Sequence, residues 1–222
     1  MIRGRNIFKR YINERGRGPW VLHDASFHIP AGVNVGLIGA NGVGKSTLMR
    51  LMSGIDTPTH GVIESDCRIS WPLGMNGGLH GPLSGRQNAK FVCRIHGLDD
   101  ELHERLEWIK EFTELGDNFE KPVKHYAAGM RARLRLGISL AFDFDVYLAD
   151  ELFAVGDRRF NRKAREIFRE KVDEATLIVV AHQERLLKEF CTAGLWLHDG
   201  KAYWFDEIDE AYKYYSRADT DS

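Results

Sequence analysis

Residues 39–47 read GANGVGKST, and this short stretch is the strongest indication of the fold. It fits the pattern G-x-x-x-x-G-K-[ST], follows an apolar run at residues 33–38 and precedes an apolar-periodic segment at residues 46–53. Glycines let the backbone curl until successive N–H groups point at one anion, and the positive end of the following helix adds to the attraction. The stretch therefore predicts a phosphate-binding loop between a buried strand and a helix.

The predicted phosphate loop supplies ligands for a nucleoside triphosphate. Lys45 is expected to reach the β- and γ-phosphates, and the Ser46 hydroxyl is expected to ligate Mg²⁺. The alternative, a glycine-rich turn of purely structural use, is disfavoured by the strand before the loop and the helix after it. The whole loop is predicted to contact the nucleotide through Gly39, Ala40, Asn41, Gly42, Val43, Gly44, Lys45, Ser46 and Thr47.

A second apolar run, at residues 146–149, ends on two carboxylates, Asp150 and Glu151. Hydrolysis of a nucleotide needs one group that orders the metal and another that positions or deprotonates water. Asp150 is predicted to hold Mg²⁺, directly or through water, and Glu151 is the candidate general base. The alternative is a strand that ends in exposed acids, but a phosphate loop requires a second strand ending in Asp beside it.

A third apolar run, at residues 176–181, ends on His182. Parallel core strands deliver the residues at their carboxyl ends to one edge of the sheet, where ligands bind. His182 is therefore predicted to contact the γ-phosphate, although a histidine considered alone at such a place is more often structural. Lys45, Glu151 and His182 form the predicted catalytic set.

The rest of the chain surrounds this core without a linker that would separate a second independent domain. Strands are predicted at residues 7–11 and 21–29, with turns at residues 16–19 and 30–32. The fold class is α/β, with a P-loop NTPase core, an N-terminal antiparallel β-subdomain and an inserted helical subdomain. We expect one domain over 1–222, divided into the core with its β-subdomain at 1–71 and 142–222 and the helical subdomain at 72–141.

Composition argues against several classes of partner. The 31 Lys and Arg are balanced by 32 Asp and Glu, so the basic excess of a nucleic-acid-binding protein is missing, and the basic stretch at residues 158–171 is interpreted as a solvated helix face. No run of about 18 apolar residues occurs, which predicts no direct membrane insertion. The three scattered cysteines fit a reducing compartment and predict neither disulfides nor a zinc site.

Together these motifs resemble the ATP-binding cassette (ABC) transporter ATPases over nearly the whole chain. Residues 126–130 read YAAGM at a predicted helix start, where that family carries its signature, which ordinary P-loop kinases and GTPases lack. The resemblance implies roles for Asp157 as the D-loop residue, for His182 as the switch histidine and for Tyr11 as the A-loop aromatic that stacks on adenine. The signature, acting in trans on a second copy, would be Tyr126, Ala127, Ala128, Gly129 and Met130.

A narrower resemblance is to the ATPase subunits of the capsular polysaccharide exporters of Gram-negative bacteria. It is carried by ISWP at 69–72, GGLHG at 77–81, LSGR at 83–86, YAAGMR at 126–131, and AVGD at 154–157 with Arg159 and Phe160. The resemblance implies ATP and Mg²⁺ as cofactors and a homodimer that sandwiches ATP between one protomer's phosphate loop and the other's signature. It also implies a pair of integral membrane subunits and a position at the cytoplasmic face of the bacterial inner membrane.

Two positions depart from the family's pattern. His80 stands where most ABC ATPases have the glutamine of the Q-loop, and because imidazole is a poor ligand for Mg²⁺, we interpret His80 as a coupling residue near the membrane-subunit contact. Ala127 stands where the signature usually has serine, whose hydroxyl contacts the γ-phosphate across the dimer. Backbone N–H groups at Ala128 and Gly129 remain, so the departure predicts slow hydrolysis and not its loss.

Three other functions stay open at this point. An ABC ATPase for another cargo, such as a lipid, an O-antigen or a drug, would carry the same phosphate chemistry. A soluble ABC-type ATPase acting on DNA or ribosomes is disfavoured by the balanced charge and the single ATPase unit. A P-loop kinase would need an acceptor substrate. For the leading hypothesis, we expect the surface that couples to the membrane subunits around residues 71–91.

Overall fold

The computed structural model describes residues 1–13, 16–73, 78–97, 99–150, 158–180 and 184–220. They form two compact units. The first unit contains both β-sheets and the phosphate loop, whereas the second is built of helices. The first consists of Met1–Pro72, Phe144–Glu151 and Val172–Ser222, and the second consists of Leu73–Asp143 and Leu152–Lys171.

Strands and helices succeed one another in the mixed order that an α/β chain requires. The strands are β1 (Ile2–Asn13), β2 (Gly16–Ile29), β3 (Val35–Ile38), β4 (His60–Ser65), β5 (Val146–Asp150), β6 (Thr176–Val180), β7 (Ala193–His198) and β8 (Lys201–Phe205). The helices are α1 (Lys45–Met52), α2 (Gly85–Ile95), α3 (Leu102–Thr113), α4 (Ala128–Leu140), α5 (Arg158–Asp173), α6 (Glu184–Phe190) and α7 (Ile208–Thr220), with 3-10 turns at Gly116–Glu120 and Val123–His125.

A five-stranded sheet forms the centre of the first unit, in the order β5-β6-β3-β7-β8. The first four strands run parallel, and β8 pairs antiparallel with β7. Strands β3 and β6 are buried at every residue, which is typical of parallel strands covered on both faces. The prediction of buried parallel strands at residues 146–149 and 176–181 is confirmed for the part that the structure describes.

A three-stranded antiparallel sheet, in the order β2-β1-β4, forms the rest of the β-structure. Strand β1 continues to Asn13, which pairs with Gly16, so residues 16–19 already belong to β2 and the predicted turn there is wrong. The glycines and proline of that segment favour a turn, but a long hairpin accommodates them because the register with β1 shifts several times. The predicted α/β class with an antiparallel β-subdomain and a helical subdomain is confirmed.

The second unit packs α2, α3 and α4 around apolar stripes. In α3, the predicted stripe buries Leu106, Ile109 and Phe112. Most of α5 belongs to this unit as well, because its Phe160 ring lies 5.3 Å from that of Phe112, and Lys163 Nζ donates to the carbonyl oxygen of Phe112 at 3.2 Å. The boundary therefore differs from the predicted one, which assigned all of 142–222 to the core. None of the described helices is long and apolar enough to cross a membrane.

Candidate functional site

The phosphate loop leaves β3 at Ile38 and enters α1 at Lys45, between the predicted strand and the predicted helix. Gly39 has φ 152° and Gly44 has φ 110°, and residues with side chains rarely adopt either value. A Cβ on Gly39 would lie 2.5 Å from the carbonyl oxygen of Leu197, so only glycine lets the loop lie so close to β7. The curled backbone of the loop is therefore set by its sequence and by its packing.

Lys45 and Ser46 both make hydrogen bonds within the predicted site. The Lys45 ammonium donates to the carbonyl oxygens of Gly39 at 2.6 Å and Ala40 at 2.9 Å, which holds it against the loop. The Ser46 hydroxyl donates to Asp150 Oδ2 at 3.2 Å. The structure thus brings together the two residues predicted to hold a metal ion.

A cavity of about 360 Å³ opens beside the loop. This volume lies in the range of small-molecule sites. Its walls are formed by Asn41, Gly42, Gly44, Lys45, Ser46 and Thr47 of the loop and by Asp150, Val180 and Val21. All but two of these lining residues, Val21 and Val180, belong to the predicted site.

Val21 reaches the cavity because of a β-bulge. Lys9 pairs with Leu22 while the next residue of β1, Arg10, pairs with Trp20, so Val21 is an extra residue on β2. Its Cγ1 lies 3.0 Å from where a Cβ on Gly44 would be. Sequence reasoning missed Val21, because a bulge depends on strand register and leaves no periodic signal in the sequence.

The carboxyl ends of β5 and β6 meet at one edge of the sheet, where Asp150 pairs with Val180. This is the edge at which the sequence places the catalytic side chains. Glu151, Asp157 and His182 lie outside the described residues, so their roles stay predictions.

Tyr11, the predicted adenine platform, lies near the end of β1 and is 40% exposed. Its hydroxyl donates to Asp56 Oδ2 at 3.1 Å, and Lys9 Nζ lies 4.8 Å from the centre of its ring. Burial alone would raise the pKa of the Asp56 carboxyl, but hydrogen bonds from Lys9, the Thr57 amide and Tyr11 outweigh it and lower the pKa. Tyr11 is not among the described residues that line the cavity.

Tyr126, the first residue of the predicted signature, belongs to the core of the second unit. Its side chain is only 4% exposed, and its hydroxyl donates to the carbonyl oxygen of Asn118 at 2.5 Å. Burial raises the pKa of the phenol. A Cβ on Gly85 would lie 2.6 Å from this hydroxyl, so the pocket for it is tight. The Tyr126 side chain therefore anchors the start of α4 and is covered by protein.

The remaining signature residues are at the surface. Ala127 is the N-cap of α4 and, like Ala128 and Gly129, is exposed, while Met130 is half-buried. Ala127 has no side-chain acceptor, so it does not cap the first N–H groups of the helix. A Cβ on Gly129 would meet no atom within 4 Å. The start of α4 therefore offers unshielded backbone donors.

His80 is exposed in the second unit, and its main chain is fastened to α2. Asn88 Oδ1 accepts from the His80 amide at 2.7 Å, and Asn88 Nδ2 donates to the His80 carbonyl at 3.2 Å. Ser84 caps the same helix in a reciprocal pair with Gln87. The main chain of His80 is therefore fixed by hydrogen bonds to the N-terminal part of α2.

Mg²⁺ fits the oxygen donors that the structure brings together, because a hydroxyl and a carboxylate are hard ligands. The described residues contain no group of three or more His, Cys, Asp or Glu that could hold a metal. The arrangement can bind and polarise a triphosphate.

Comparison with known proteins gives close relatives along nearly the full chain. The family model described as ABC transporter matches residues 22–154. Over 218 residues the chain is 44% identical to the polysialic acid transport ATP-binding protein KpsT of Escherichia coli, covering 98% of this chain and 99% of that protein. It is 42% identical over 218 residues to the capsule polysaccharide export ATP-binding protein CtrD of Neisseria meningitidis, covering 97% and 99%.

A solved structure shares the fold at lower identity. The ATP-binding cassette MJ0796, solved as a dimer bound to ADP and Pi, superposes with a TM-score of 0.75 at 20% identity, over 94% of this chain and 99% of that one. The fold is therefore that of an ABC ATPase cassette. With the family model covering more than half of its length and relatives above 40% identity over nearly all of it, the chain belongs to the ABC transporter family.

Proposed function

We propose that this chain is the ATP-hydrolysing subunit of an ABC transporter that exports capsular polysaccharide. The observation that carries the proposal is the phosphate loop, in which Ser46 Oγ lies 3.2 Å from Asp150 Oδ2 beside a cavity of small-molecule size. The similarity to the capsule and polysialic acid transport subunits extends over almost the whole of this chain and of each relative. It supports the proposed polysaccharide cargo as well as the ATPase activity.

The chemistry begins with an exchange of partners at Lys45. Its ammonium now rests on two neutral carbonyl oxygens of its own loop. Triphosphate oxygens are charged acceptors and form stronger hydrogen bonds, so Lys45 turns to them when ATP binds. Mg²⁺, held by Ser46 and Asp150, would neutralise charge on the phosphates. Glu151 positions and deprotonates the attacking water, and His182 contacts the γ-phosphate.

We further propose that the site is completed by a second copy of the chain. Exposed Ala127, Ala128 and Gly129 present the N-terminal N–H groups of α4, which the side chain of the N-cap residue does not cap. Such groups favour an anion, and the γ-phosphate held by a partner protomer is the anion that the signature would meet. With alanine at the N-cap, one hydroxyl contact is missing and hydrolysis is slow.

The proposed membrane contact lies on α2. Phe91 and Ile95 are one turn apart on this helix and are 60% and 64% exposed, which is unusual for large apolar side chains so close together. They lie on the helix to which Asn88 fastens His80. We propose that a pair of integral membrane subunits docks here, which places the chain at the cytoplasmic face of the inner membrane.

Two measurements test the proposal at separate levels. Glu151→Gln should bind ATP without hydrolysing it, so light scattering should show a dimer in ATP and a smaller species without it. In cells that depend on this chain, the same variant should stop the appearance of capsule at the surface. Phosphate release only in the presence of an acceptor substrate would indicate a kinase instead. Normal capsule in cells with the inactive variant would leave the ATPase intact and refute the cargo.

A further inference from the structure

Alternate residues of β1 face opposite sides of the antiparallel sheet, and this alternation separates its side chains into two groups. Arg10 lies over the ring of Trp20 at 4.2 Å, on one face. Lys9 lies over the ring of Tyr11 at 4.8 Å, on the other. Lys9 pairs with Leu22, whose Cδ2 would touch a Cβ on Gly44 at 3.3 Å. Tyr11 therefore lies on the face of the sheet that meets the phosphate loop.

An ion pair between a buried lysine and a partly buried aspartate lies on this face. Lys9 is only 8% exposed, and its Nζ donates to Asp56 Oδ1 at 2.6 Å and to the carbonyl oxygen of Thr57 at 2.8 Å. Asp56 uses its other oxygen, Oδ2, to accept from the Tyr11 hydroxyl at 3.1 Å. One carboxylate thus binds both the ammonium and the phenol, and the ammonium also lies over the phenol ring.

The main chain of Asp56 is hydrogen-bonded to the helix of the phosphate loop. The Asp56 amide donates to the carbonyl oxygen of Arg50 at 3.1 Å, inside α1, and α1 begins at Lys45. The Thr57 amide donates to Asp56 Oδ1 at 2.8 Å, which fixes the carboxylate further. A short chain of contacts therefore joins the ring of Tyr11 to the helix whose first residues bind phosphate.

We infer that Lys9 and Asp56 are positioning residues that hold Tyr11 in place to stack on the base of the nucleoside triphosphate bound at the phosphate loop. The inference rests on the proposed function, since it needs a nucleotide at that loop. Tyr11 itself contacts the base, whereas Lys9 and Asp56 act through it. Tyr11 is 40% exposed as a residue, which leaves accessible surface for the base.

The physical reason is the entropy of ordering. A tyrosine near the end of an exposed hairpin loses rotamer freedom when a base stacks on it, and that loss weakens binding. A ring already held by its hydroxyl and by an ammonium has less freedom to lose. Even a buried ion pair often adds little net stability compared with apolar residues, so stability alone does not explain why the sheet contains the partly buried Lys9–Asp56 pair.

The test separates base binding from phosphate binding. Dissociation constants are measured for ATP and for inorganic tripolyphosphate, which has the triphosphate chain of ATP but no nucleoside, on wild-type chain, Asp56→Asn, Lys9→Met and Tyr11→Phe. We expect each variant to weaken the affinity for ATP by about three- to tenfold and the affinity for tripolyphosphate by less than about twofold, because only stacking is affected. Tyr11→Ala should weaken the affinity for ATP by about tenfold or more.

A matched control is Glu64→Gln, which removes the ion pair of Glu64 with Arg5 in the same sheet, where both side chains are about half exposed. It should change neither constant. Equal weakening of ATP and tripolyphosphate in Asp56→Asn and Tyr11→Phe would assign the pair a purely structural role, and unchanged ATP binding in Tyr11→Phe and Asp56→Asn would overturn the inference. Failure of wild-type chain to bind either ligand would refute the proposed function itself.

Discussion

The phosphate loop and the start of α4 are both expected to touch the same γ-phosphate from two protomers, yet their side chains play different parts. In the loop, side chains add to the backbone N–H groups: Lys45 donates to the carbonyl oxygens of Gly39 and Ala40, and Ser46 is hydrogen-bonded to Asp150. At α4, the motif's one large polar side chain, Tyr126, is buried, and the exposed part of the motif offers backbone donors. The residues of a motif can therefore contact a ligand directly or position the backbone that contacts it.

The largest expected effect is at Lys45. Lys45→Met removes the ammonium that would bind the β- and γ-phosphates and should lower ATP hydrolysis by about 100-fold or more. Initial rates of phosphate release measure it. Lys201→Met, at an exposed position of β8, is the matched control and should hydrolyse ATP at the wild-type rate. If Lys45→Met retained most of the activity, the proposed role of Lys45 in the phosphate loop would be refuted.

At the start of α4, Gly129→Ala should lower ATP hydrolysis without lowering the stability of the chain. Its Cβ meets nothing within 4 Å in the protomer, so the substitution should be neutral or stabilise by at most about 1 kcal/mol. Hydrolysis should fall about tenfold, because the methyl group would stand where the partner's phosphate approaches the backbone. Urea unfolding and phosphate release measure the two effects.

The control for Gly129→Ala lies in the same helix. Gly137→Ala puts a Cβ 2.5 Å from Thr113 Cγ2 and 3.1 Å from Phe112 Cδ1, so it should destabilise the chain by about 1–3 kcal/mol. If Gly129→Ala hydrolyses ATP at the wild-type rate, the proposed role of α4 in trans is refuted.

Tyr126→Phe should affect stability without affecting the affinity of the phosphate loop. The carbonyl oxygen of Asn118 loses one of its two donors and keeps the amide of Lys121, so the free energy of unfolding should fall by about 0.5–1.5 kcal/mol. The dissociation constant of tripolyphosphate should stay at the wild-type value. A weakened constant with unchanged stability would mean that Tyr126 acts on the ligand after all.

The smallest effect is expected for Ala127→Ser. A serine at the N-cap can accept from the first-turn N–H groups of α4, and it restores the hydroxyl that the family's signature usually supplies. The free energy of unfolding should rise by about 1 kcal/mol, and hydrolysis should rise by about two- to tenfold. A gain in stability with no gain in rate would show that the missing hydroxyl does not limit hydrolysis.

Much of the fold and of the loop follows from sequence, because both depend on local patterns. The strand before Gly39, the helix after it and the carboxylate at the end of β5 are confirmed. Val21 and the Lys9–Asp56 pair could not be predicted, because they depend on a strand register and on a contact between residues 47 positions apart. The burial of Tyr126 could not be predicted for a related reason, since its hydroxyl contacts Asn118 in a preceding 3-10 turn and lies close to Gly85 in α2.

Each ATP site is proposed to combine the loop of one protomer with the signature of the other. A mixture of two impaired variants, Lys45→Met and Gly129→Asp, tests this arrangement. In a mixed dimer the intact loop of one chain faces the intact signature of the other, so phosphate release should rise well above that of either variant alone. A mixture that stays as inactive as its components, while wild-type chain hydrolyses ATP under the same conditions, would refute it.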